Sequence, residues 1–435
     1  MGVVGAQQPG PALVLPNVTI IDGTGTGPRA TMTLVVRDGL IAEVFPTGTR
    51  QPPPGARVLQ VEGRFVTPGF IDTHVHLATT ERPGAIVSSL MRATLLGGVT
   101  TVRDMGGNGA VVAALRDAAK SPGAASPEVV TAAVFAGPDA FWFTDRARAG
   151  YLSGGQAPGT SPWLVRVDDD TNIRDAVRRA KAWGASGIKI HSQLTARQVR
   201  SIADEARRER LAIWSHAAVG PAGPGDVTDA RVNSMSHAEA LVWQPGTGVA
   251  SPLFGTATGM AQAMNAVAPE SEVVRNLFTR MRERQIILEP TLYASVQASS
   301  FAGDERPTID RQVIWAASAA NIARQLGVTV VTGTDAIGGS SPNLHAELQF
   351  FVRRARFTPL QAIRAATFDA ARAVGLGDVA GHIAVGRRAD LVVLVRNPAD
   401  DIRNTQTVTM VIRGGVVHER TDPMPVPPLA EPPVR

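Results

Sequence analysis

The middle of the chain alternates short apolar runs with helical stretches, and this alternation restricts the fold more than any other feature. Eight apolar runs are predicted as strands, at 69–76, 98–104, 128–135, 186–191, 211–217, 231–238, 285–290 and 328–335. Helical patterns lie between them, for example at 172–183 and 196–210. Strands that alternate with helices form parallel sheets. Eight such repeats over about 300 residues favour a closed barrel over an open sheet.

The two ends of the chain have a different pattern from the middle. Residues 12–66 and 382–425 both contain short β runs, which glycine- and proline-rich turns separate. Because chain termini often lie close together, we predict that these two segments form one domain, and that residues 67–381 form the barrel. The predicted fold class is therefore α/β, a distorted (β/α)8 TIM barrel with a composite β-sandwich domain from both chain ends.

Composition excludes several classes of function. The chain has 435 residues with no cysteine, so disulfides, thiolate metal sites and cysteine nucleophiles are excluded. The net charge is +5, and basic residues are interleaved with acidic ones, so we expect no nucleic-acid partner. No apolar run approaches the roughly 18 residues that span a bilayer, so we expect no membrane partner. The expected partners are a small-molecule substrate and further copies of the chain in a homo-oligomer.

The sequence is compatible with two cellular locations. Val4-Gly5-Ala6 resembles the small-residue site at which a signal peptide is cut. We therefore expect either a cytoplasmic protein or an exported one from which the signal peptide has been removed.

Histidines stand where the predicted strands end. His74 and His76, at positions i and i+2 of the first strand, share one face, although such pairs also have structural roles. His216 and His237 end the fifth and sixth strands, and Asp335 ends the eighth, where it could cap a helix or supply an oxygen ligand. The carboxyl ends of barrel strands converge on one face. Nitrogen and carboxylate ligands of this kind suit zinc or manganese.

Lys189 is a lysine in a chain that hardly uses lysine. Only three of the 43 basic residues are lysines, namely Lys120, Lys181 and Lys189. Lys189 lies in the apolar fourth strand, where it could also reach the surface or pair with a carboxylate. Lysine, unlike arginine, can lose its proton and react. A lysine that adds carbon dioxide becomes a carbamate, an anion that can bridge two cations.

Together these residues resemble the amidohydrolase superfamily. The motifs are PGFIDTHVH at 68–76, GIKI at 187–190, SHA at 215–217 and at 236–238, GTDA at 333–336, and HIAVGRRADLVVL at 382–394. The resemblance is strongest to its imidazolonepropionase-like and Xaa-Pro dipeptidase-like branch, which includes ochratoxin-hydrolysing amidases.

The resemblance implies a binuclear metal centre. His74 and His76 would bind the more buried ion with Asp335, and His216 and His237 would bind the more exposed ion. N6-carboxylated Lys189 and a hydroxide would bridge two divalent ions, zinc or alternatively manganese.

The implied reaction is hydrolysis of an amide bond. The bridging hydroxide would attack the carbonyl, while Asp335 would carry a proton from the nucleophile to the leaving group. Lys189 and Asp335 are therefore the predicted catalytic residues. Three alternatives remain: a lactone or phosphotriester hydrolase, a mononuclear deaminase-like hydrolase with uncarboxylated Lys189, and a non-catalytic scaffold.

The chain departs from that branch at two substrate-handling positions. Ala218 stands where the branch tends to have a histidine, and residues 136–139 read Ala-Gly-Pro-Asp in place of Gly-Gly-His. His191 and Tyr293 are alternative candidates for substrate binding, each with a plain structural role as the other possibility. An aromatic group on the loop at 136–170 forms either a lid with an apolar pocket or a small separate core: Phe141, Trp142, Phe143, Tyr151 and Trp163. We expect a hydrophobic or aromatic amide as substrate.

Overall fold

The structure is a computed structural model, and it describes residues 11–244, 256–294, 306–337 and 343–421. Four sequence features lie wholly or partly outside these residues. They are the cleavage-like site near the start, parts of the two connections that follow the predicted strands at 231–238 and 285–290, and the end of the composite domain beyond residue 421.

The described residues contain eighteen strands. They are β1 Leu13–Ile20, β2 Arg29–Arg37, β3 Leu40–Pro46, β4 Arg57–Val58, β5 Phe65–Pro68, β6 Phe70–His76, β7 Val99–Asp104, β8 Glu128–Ala136, β9 Thr160–Ser161, β10 Leu164–Arg166, β11 Gly187–Ile190, β12 Ala212–His216, β13 Ser234–Ser236, β14 Ile287–Glu289, β15 Ala336–Ile337, β16 Leu391–Leu394, β17 Val408–Arg413 and β18 Val416–Glu419.

The same residues contain thirteen α-helices, and none of these is long and apolar enough to cross a membrane. They are α1 Gly84–Leu96, α2 Gly109–Ala118, α3 Phe141–Thr144, α4 Arg146–Leu152, α5 Ile173–Trp183, α6 Ala196–Arg208, α7 Pro224–Asp229, α8 Ala257–Ala266, α9 Glu272–Glu283, α10 Arg306–Gln325, α11 Asn343–Arg353, α12 Pro359–Ala365 and α13 Phe368–Ala373. Two 3₁₀ helices span Ala238–Trp243 and Ile402–Gln406.

One sheet joins the two ends of the chain. Its order is β18-β17-β16-β5-β1-β2-β3, with β4 beside β1. The C-terminal strand β16 pairs antiparallel with β5, which places Leu391 opposite Pro68. Apolar side chains from both ends share one buried cluster, which includes Leu15, Leu34 and Ile412. The composite β architecture is confirmed, and the limits of the two domains stay a prediction.

The second sheet is the barrel wall. Its order is β14-β13-β12-β11-β8-β7-β6-β15, and each neighbouring pair is parallel. Seven of the predicted strands correspond to β6, β7, β8, β11, β12, β13 and β14. Parallel strands with helices between them place every carboxyl end on one face, so the ends of β6, β11, β12 and β13 face the same cavity.

The eighth predicted strand, at 328–335, is irregular. Within it only Val330 forms a bridge, and β15 follows as a two-residue strand that pairs with β6. Backbone hydrogen bonds still link the segment to both neighbours, from Leu288 N to the Thr329 carbonyl at 2.9 Å and from Asp335 N to the His74 carbonyl at 2.8 Å. A Cβ on Gly333 would lie 2.8 Å from His74 Cβ. The barrel therefore closes through an irregular segment, which lacks regular strand pairing where it approaches His74.

The caps and buried faces of helices α5 and α6 position the strands that follow them, β11 and β12. Asn172 caps α5, and Gly184 ends it with a φ of 102°, a left-handed conformation that glycine adopts readily. Thr195 and Gln198 form a capping box at the start of α6. Positions 199, 202, 203 and 206 of α6 are buried and share one face. The two helices fix β11 and β12, and with them Lys189 and His216.

Candidate metal centre

The six predicted ligands come from five places on the same face of the barrel. His74 and His76 lie on β6, Lys189 lies on β11, His216 ends β12, His237 follows β13, and Asp335 precedes β15. His237 and Asp335 have positive φ angles, of 69° and 54°. Such angles are uncommon outside glycine. His237 directly follows the end of β13, and Asp335 directly precedes β15.

His74 has one ring nitrogen satisfied and one without a partner. Its Nδ1 lies 2.6 Å from Glu289 Oε1, and since a carboxylate only accepts, Nδ1 carries the proton. Its Nε2 is buried and has no hydrogen-bond partner among the described residues. Burial lowers the pKa of His74 to about 4, so the ring is neutral and Nε2 keeps its lone pair.

His76 and His237 are oriented in the same way. His76 Nδ1 donates to the Gly106 carbonyl at 2.7 Å, and His237 Nδ1 lies 2.9 Å from Thr291 Oγ1. The Thr291 hydroxyl donates to the Pro290 carbonyl, so it accepts from His237. A histidine that binds a metal through one ring nitrogen usually donates the N–H of the other ring nitrogen to an acceptor in the protein. All three rings therefore direct Nε2 into the site, where the Nε2 of His76 contacts Asp335.

Asp335 lies within reach of both histidines of β6. Its Oδ1 lies 3.0 Å from His76 Nε2 and 3.4 Å from His74 Nε2. Burial alone would raise the pKa of Asp335, but His74 and His76 hold it well below its usual value. The carboxylate is therefore ionised and can bind a cation.

His216 and His191 continue this cluster. The rings of His216 and His237 have centroids 4.6 Å apart, and those of His74 and His237 are 5.1 Å apart. His191 lies beside His216, with centroids 4.2 Å apart, and it lines the cavity. Its contact with the substrate stays a prediction.

Lys189 is fully buried at the base of the site. Its Nζ donates to Ser236 Oγ at 3.2 Å. The pKa of Lys189 is lowered to about 7, chiefly by burial and also by the nearby Arg103, while Glu289 and Asp335 oppose this shift. A buried ammonium is costly without a counter-charge, so this amine exists readily in its neutral form.

A buried network beneath the ligands centres on Glu289, which the sequence analysis missed. Its carboxylate is fully buried and accepts from Thr73 Oγ1 at 2.8 Å and from Ser236 Oγ at 2.9 Å, besides His74. It also pairs with Arg103, whose guanidinium stacks 4.5 Å over the Trp214 ring.

Charge compensation keeps this carboxylate ionised. Burial would raise the pKa of Glu289, but Arg103 and His74 hold it well below its usual range. The signal in the sequence was a lone acidic residue at the end of an apolar strand. Arg103 lies on β7 and is itself fully buried, so the pair is internal.

The donor set fits divalent metal ions. One ligand atom from each of His74, His237 and Asp335 lies within 4.8 Å of the other two. The unpartnered Nε2 of His74 points to the same conclusion, because buried polar atoms nearly always have a partner. Imidazole nitrogen with one carboxylate oxygen is a set that zinc accepts.

A cavity of about 330 Å³ opens above the ligands. It is lined by His76, Thr79, Thr80, Phe141, Trp142, Arg148, Leu152, His191, His216, His237, Asp335 and Ile337. In the loop after β8, Phe141 and Trp142 line the cavity, and Trp142 and Trp163 pack in a separate small core. The role of this loop as a lid stays a prediction. Tyr293 packs against Phe350 and is not among the described lining residues, so its role in substrate binding stays a prediction.

Comparison with known proteins identifies the family. The model of the amidohydrolase family matches residues 65–417. The chain belongs to the amidohydrolase family. Ochratoxinase from Aspergillus niger is 26% identical over 91% of this chain and 84% of its own length. Imidazolonepropionase from Salinispora arenicola is 25% identical over 86% of this chain and 88% of its own length.

Solved structures agree on the fold of this amidohydrolase. The A. niger ochratoxinase structure has a TM-score of 0.74 at 23% identity, covering 94% of this chain and 95% of that one. A Xaa-Pro dipeptidase with bound methionine has a TM-score of 0.73 at 22% identity, covering 94% of this chain and 100% of that one. The predicted family, fold and enzyme class, a hydrolase, are confirmed.

Proposed function

We propose that this amidohydrolase is a binuclear metal-dependent enzyme that cleaves an amide bond. The observation that carries the proposal is the buried, unpartnered Nε2 of His74 beside Asp335, with two more Nε2 atoms presented by His76 and His237. His74 and His76 would hold one ion with Asp335, and His216 and His237 the other. Carboxylated Lys189 would lie between them.

In this proposal the metal ions activate the water and the carbonyl, and the protein transfers the proton. Two divalent ions would lower the pKa of a water molecule toward about 7 and polarise the substrate carbonyl. Asp335 Oδ would take the proton of the attacking water and deliver it to the leaving nitrogen, because an amine leaves poorly unless it is protonated. The histidine Nδ1 contacts to Glu289, Gly106 and Thr291 fix the ring orientations that this arrangement needs.

The substrate proposal rests on the cavity wall. Phe141, Trp142, Leu152 and Ile337 give it an apolar and aromatic lining, and Phe141 and Ile337 are exposed at 44% and 59%. Apolar walls with a few polar groups are typical of small-molecule sites. A hydrophobic or aromatic amide fits this lining, with His191 beside it.

A mononuclear site is the second candidate. It is favoured by the close grouping of His74, His237 and Asp335, which offers three ligands to a single ion. In that case Lys189 would stay an amine bonded to Ser236. The number of ions per chain separates the two candidates.

Metal removal tests the proposal. Dialysis against a chelator is expected to abolish amide hydrolysis, and added zinc or manganese is expected to restore it. Mass spectrometry should find two ions per active chain, and the assay should cover N-acyl amino acids, dipeptides, aryl amides, lactones and phosphotriesters. One ion at full activity would support the mononuclear candidate. Full activity of metal-free protein would refute both.

The variant Asp335→Asn tests the proton transfer. We expect amide hydrolysis to fall by about 10²–10⁴-fold, the usual contribution of a general acid–base group. A 4-nitrophenyl ester, whose leaving group needs no proton, should lose at least about tenfold less. Metal content must be measured in parallel, since Asp335 is also a ligand. Equal losses on both substrates would show that Asp335 acts only through the metal.

A further inference from the structure

The loop that follows β14 has an unusual backbone conformation at Thr291. This residue has a φ of 51° and is 1% exposed. A left-handed conformation is a genuine outlier for a β-branched residue, and it persists only where surrounding contacts hold it. The Thr291 hydroxyl is the acceptor of His237 Nδ1 at 2.9 Å. The position of this residue therefore sets the orientation of the His237 ring.

Glu347 on α11 binds the two residues that follow Thr291. Its Oε1 accepts from Leu292 N at 3.1 Å, and its Oε2 accepts from Tyr293 N at 2.7 Å. The ring of Tyr293 also packs against Phe350 on the same helix, with centroids 6.5 Å apart. The loop is thus anchored to α11 directly after the residue whose backbone is strained.

Glu347 is a fully buried carboxyl group that the proposed reaction does not use. In the part of the chain that the structure describes, its side-chain hydrogen bonds all go to this loop. The pKa of Glu347 is raised to about 8, chiefly by burial, while the N–H groups of Tyr293 and Leu292 oppose this shift. An ionised carboxyl group only accepts, and a protonated one keeps acceptor capacity, so both forms can hold the loop.

We propose that Glu347 is a positioning residue for the metal centre, which holds Thr291 where its hydroxyl accepts from His237 Nδ1. This inference rests on the proposed function, in which His237 binds the more exposed ion. Loss of Glu347 should weaken the more exposed metal position. The position at His74 should be retained, because Glu289, the partner of His74, lies on β14 itself.

Glu347→Gln tests this role, because the amide keeps one acceptor oxygen but turns a donor toward the second backbone N–H. In a zinc titration, the second equivalent should bind about 10- to 100-fold more weakly, the usual effect of losing the support of a ligating histidine. The first equivalent should change by less than about threefold, since its ligands keep their partners. Glu347→Asp keeps the carboxyl group on a shorter side chain and should have a smaller effect.

Glu205→Gln is the matched control for a buried carboxyl group. Glu205 lies on α6, is 5% exposed and pairs with Arg174 and Arg208, away from the loop. Both zinc equivalents should bind to this variant as they do to the wild type.

The ring of His237 gives a second measurement that needs no metal. NMR of metal-free protein with isotope-labelled histidine distinguishes a proton on Nδ1 from one on Nε2. We expect the Nδ1–H form for His237 in the wild type and a mixture of both forms in Glu347→Gln, with His74 unchanged. In a Thr291→Val background, Glu347→Gln should weaken zinc binding no further, because both changes act through one hydroxyl.

The outcomes separate this inference from the proposed function. Wild-type affinity for both equivalents in Glu347→Gln, or an unchanged His237 ring, would overturn the positioning role alone. An equal loss of both equivalents, or failure of both Glu347 variants to fold, would overturn it in favour of a general structural role. A wild type that binds a single ion would overturn the binuclear proposal, and the NMR measurement would still decide whether Glu347 orients His237.

Discussion

Replacing Lys189 with alanine is expected to remove both the metal and the turnover. Lys189 is fully buried beneath the histidines, and its carbamate would supply the anion between two cations. Losing several kcal/mol of metal-derived stabilisation corresponds to a rate loss of about 10³-fold or more. Bound metal should fall from two ions per chain to one or none. Acetate or propionate should restore part of the activity, because a short carboxylate can occupy the space that the side chain leaves.

The chain offers a matched control for this variant. Lys181 is 48% exposed and pairs with Glu209 at 2.9 Å on the surface. Lys181→Ala should therefore keep two ions and wild-type turnover. If Lys189→Ala also kept both, the lysine bridge would be wrong, and a mononuclear site would be the better account.

The second large effect is expected from Glu289→Gln. Removing the carboxylate leaves Arg103 as a buried charge without its partner, and breaking a buried pair in this way typically costs about 3–5 kcal/mol of unfolding free energy. It also removes the charged acceptor of His74 Nδ1, and loss of such a partner weakens metal binding about 10- to 100-fold. Urea unfolding of metal-free protein measures the first effect, and metal titration measures the second.

A double variant separates these two effects. In Glu289→Gln with Arg103→Met both charges of this pair are removed, so Arg103 no longer remains as a buried cation without its partner and more than half of the lost stability should return. Metal affinity should stay low, since His74 still lacks its carboxylate. The surface pair of Arg197 and Asp169, 73% and 84% exposed, is the control, and Asp169→Asn should cost less than about 1 kcal/mol. Recovery of metal affinity in the double variant would show that Glu289 acts only on stability.

Local patterns were sufficient to predict the architecture and to place the candidate ligands at one face of the barrel. Alternating strands and helices must bury their apolar faces in layers, and a parallel barrel collects its strand ends on one face. His74, His216 and His237 could therefore be assigned to one site although they lie far apart in the chain. Lys189 was singled out by the scarcity of lysine, and the structure places it, fully buried, at the base of this site.

Long-range pairing was not predictable in the same way. Glu289 meets Arg103 across 186 residues and His74 across 215 residues, and no local periodicity reports such partners. The irregular segment at 328–335 has the composition of a strand, but its approach to His74 at Gly333 depends on tertiary packing.

Anomalous diffraction from zinc-loaded crystals tests the central claim most directly. We expect two zinc peaks about 3.5–4 Å apart, as in other two-metal sites, one beside His74, His76 and Asp335 and the other beside His216 and His237. Additional density on Lys189 Nζ should lie between the peaks. A single peak, with Lys189 Nζ still bonded to Ser236, would contradict the binuclear account.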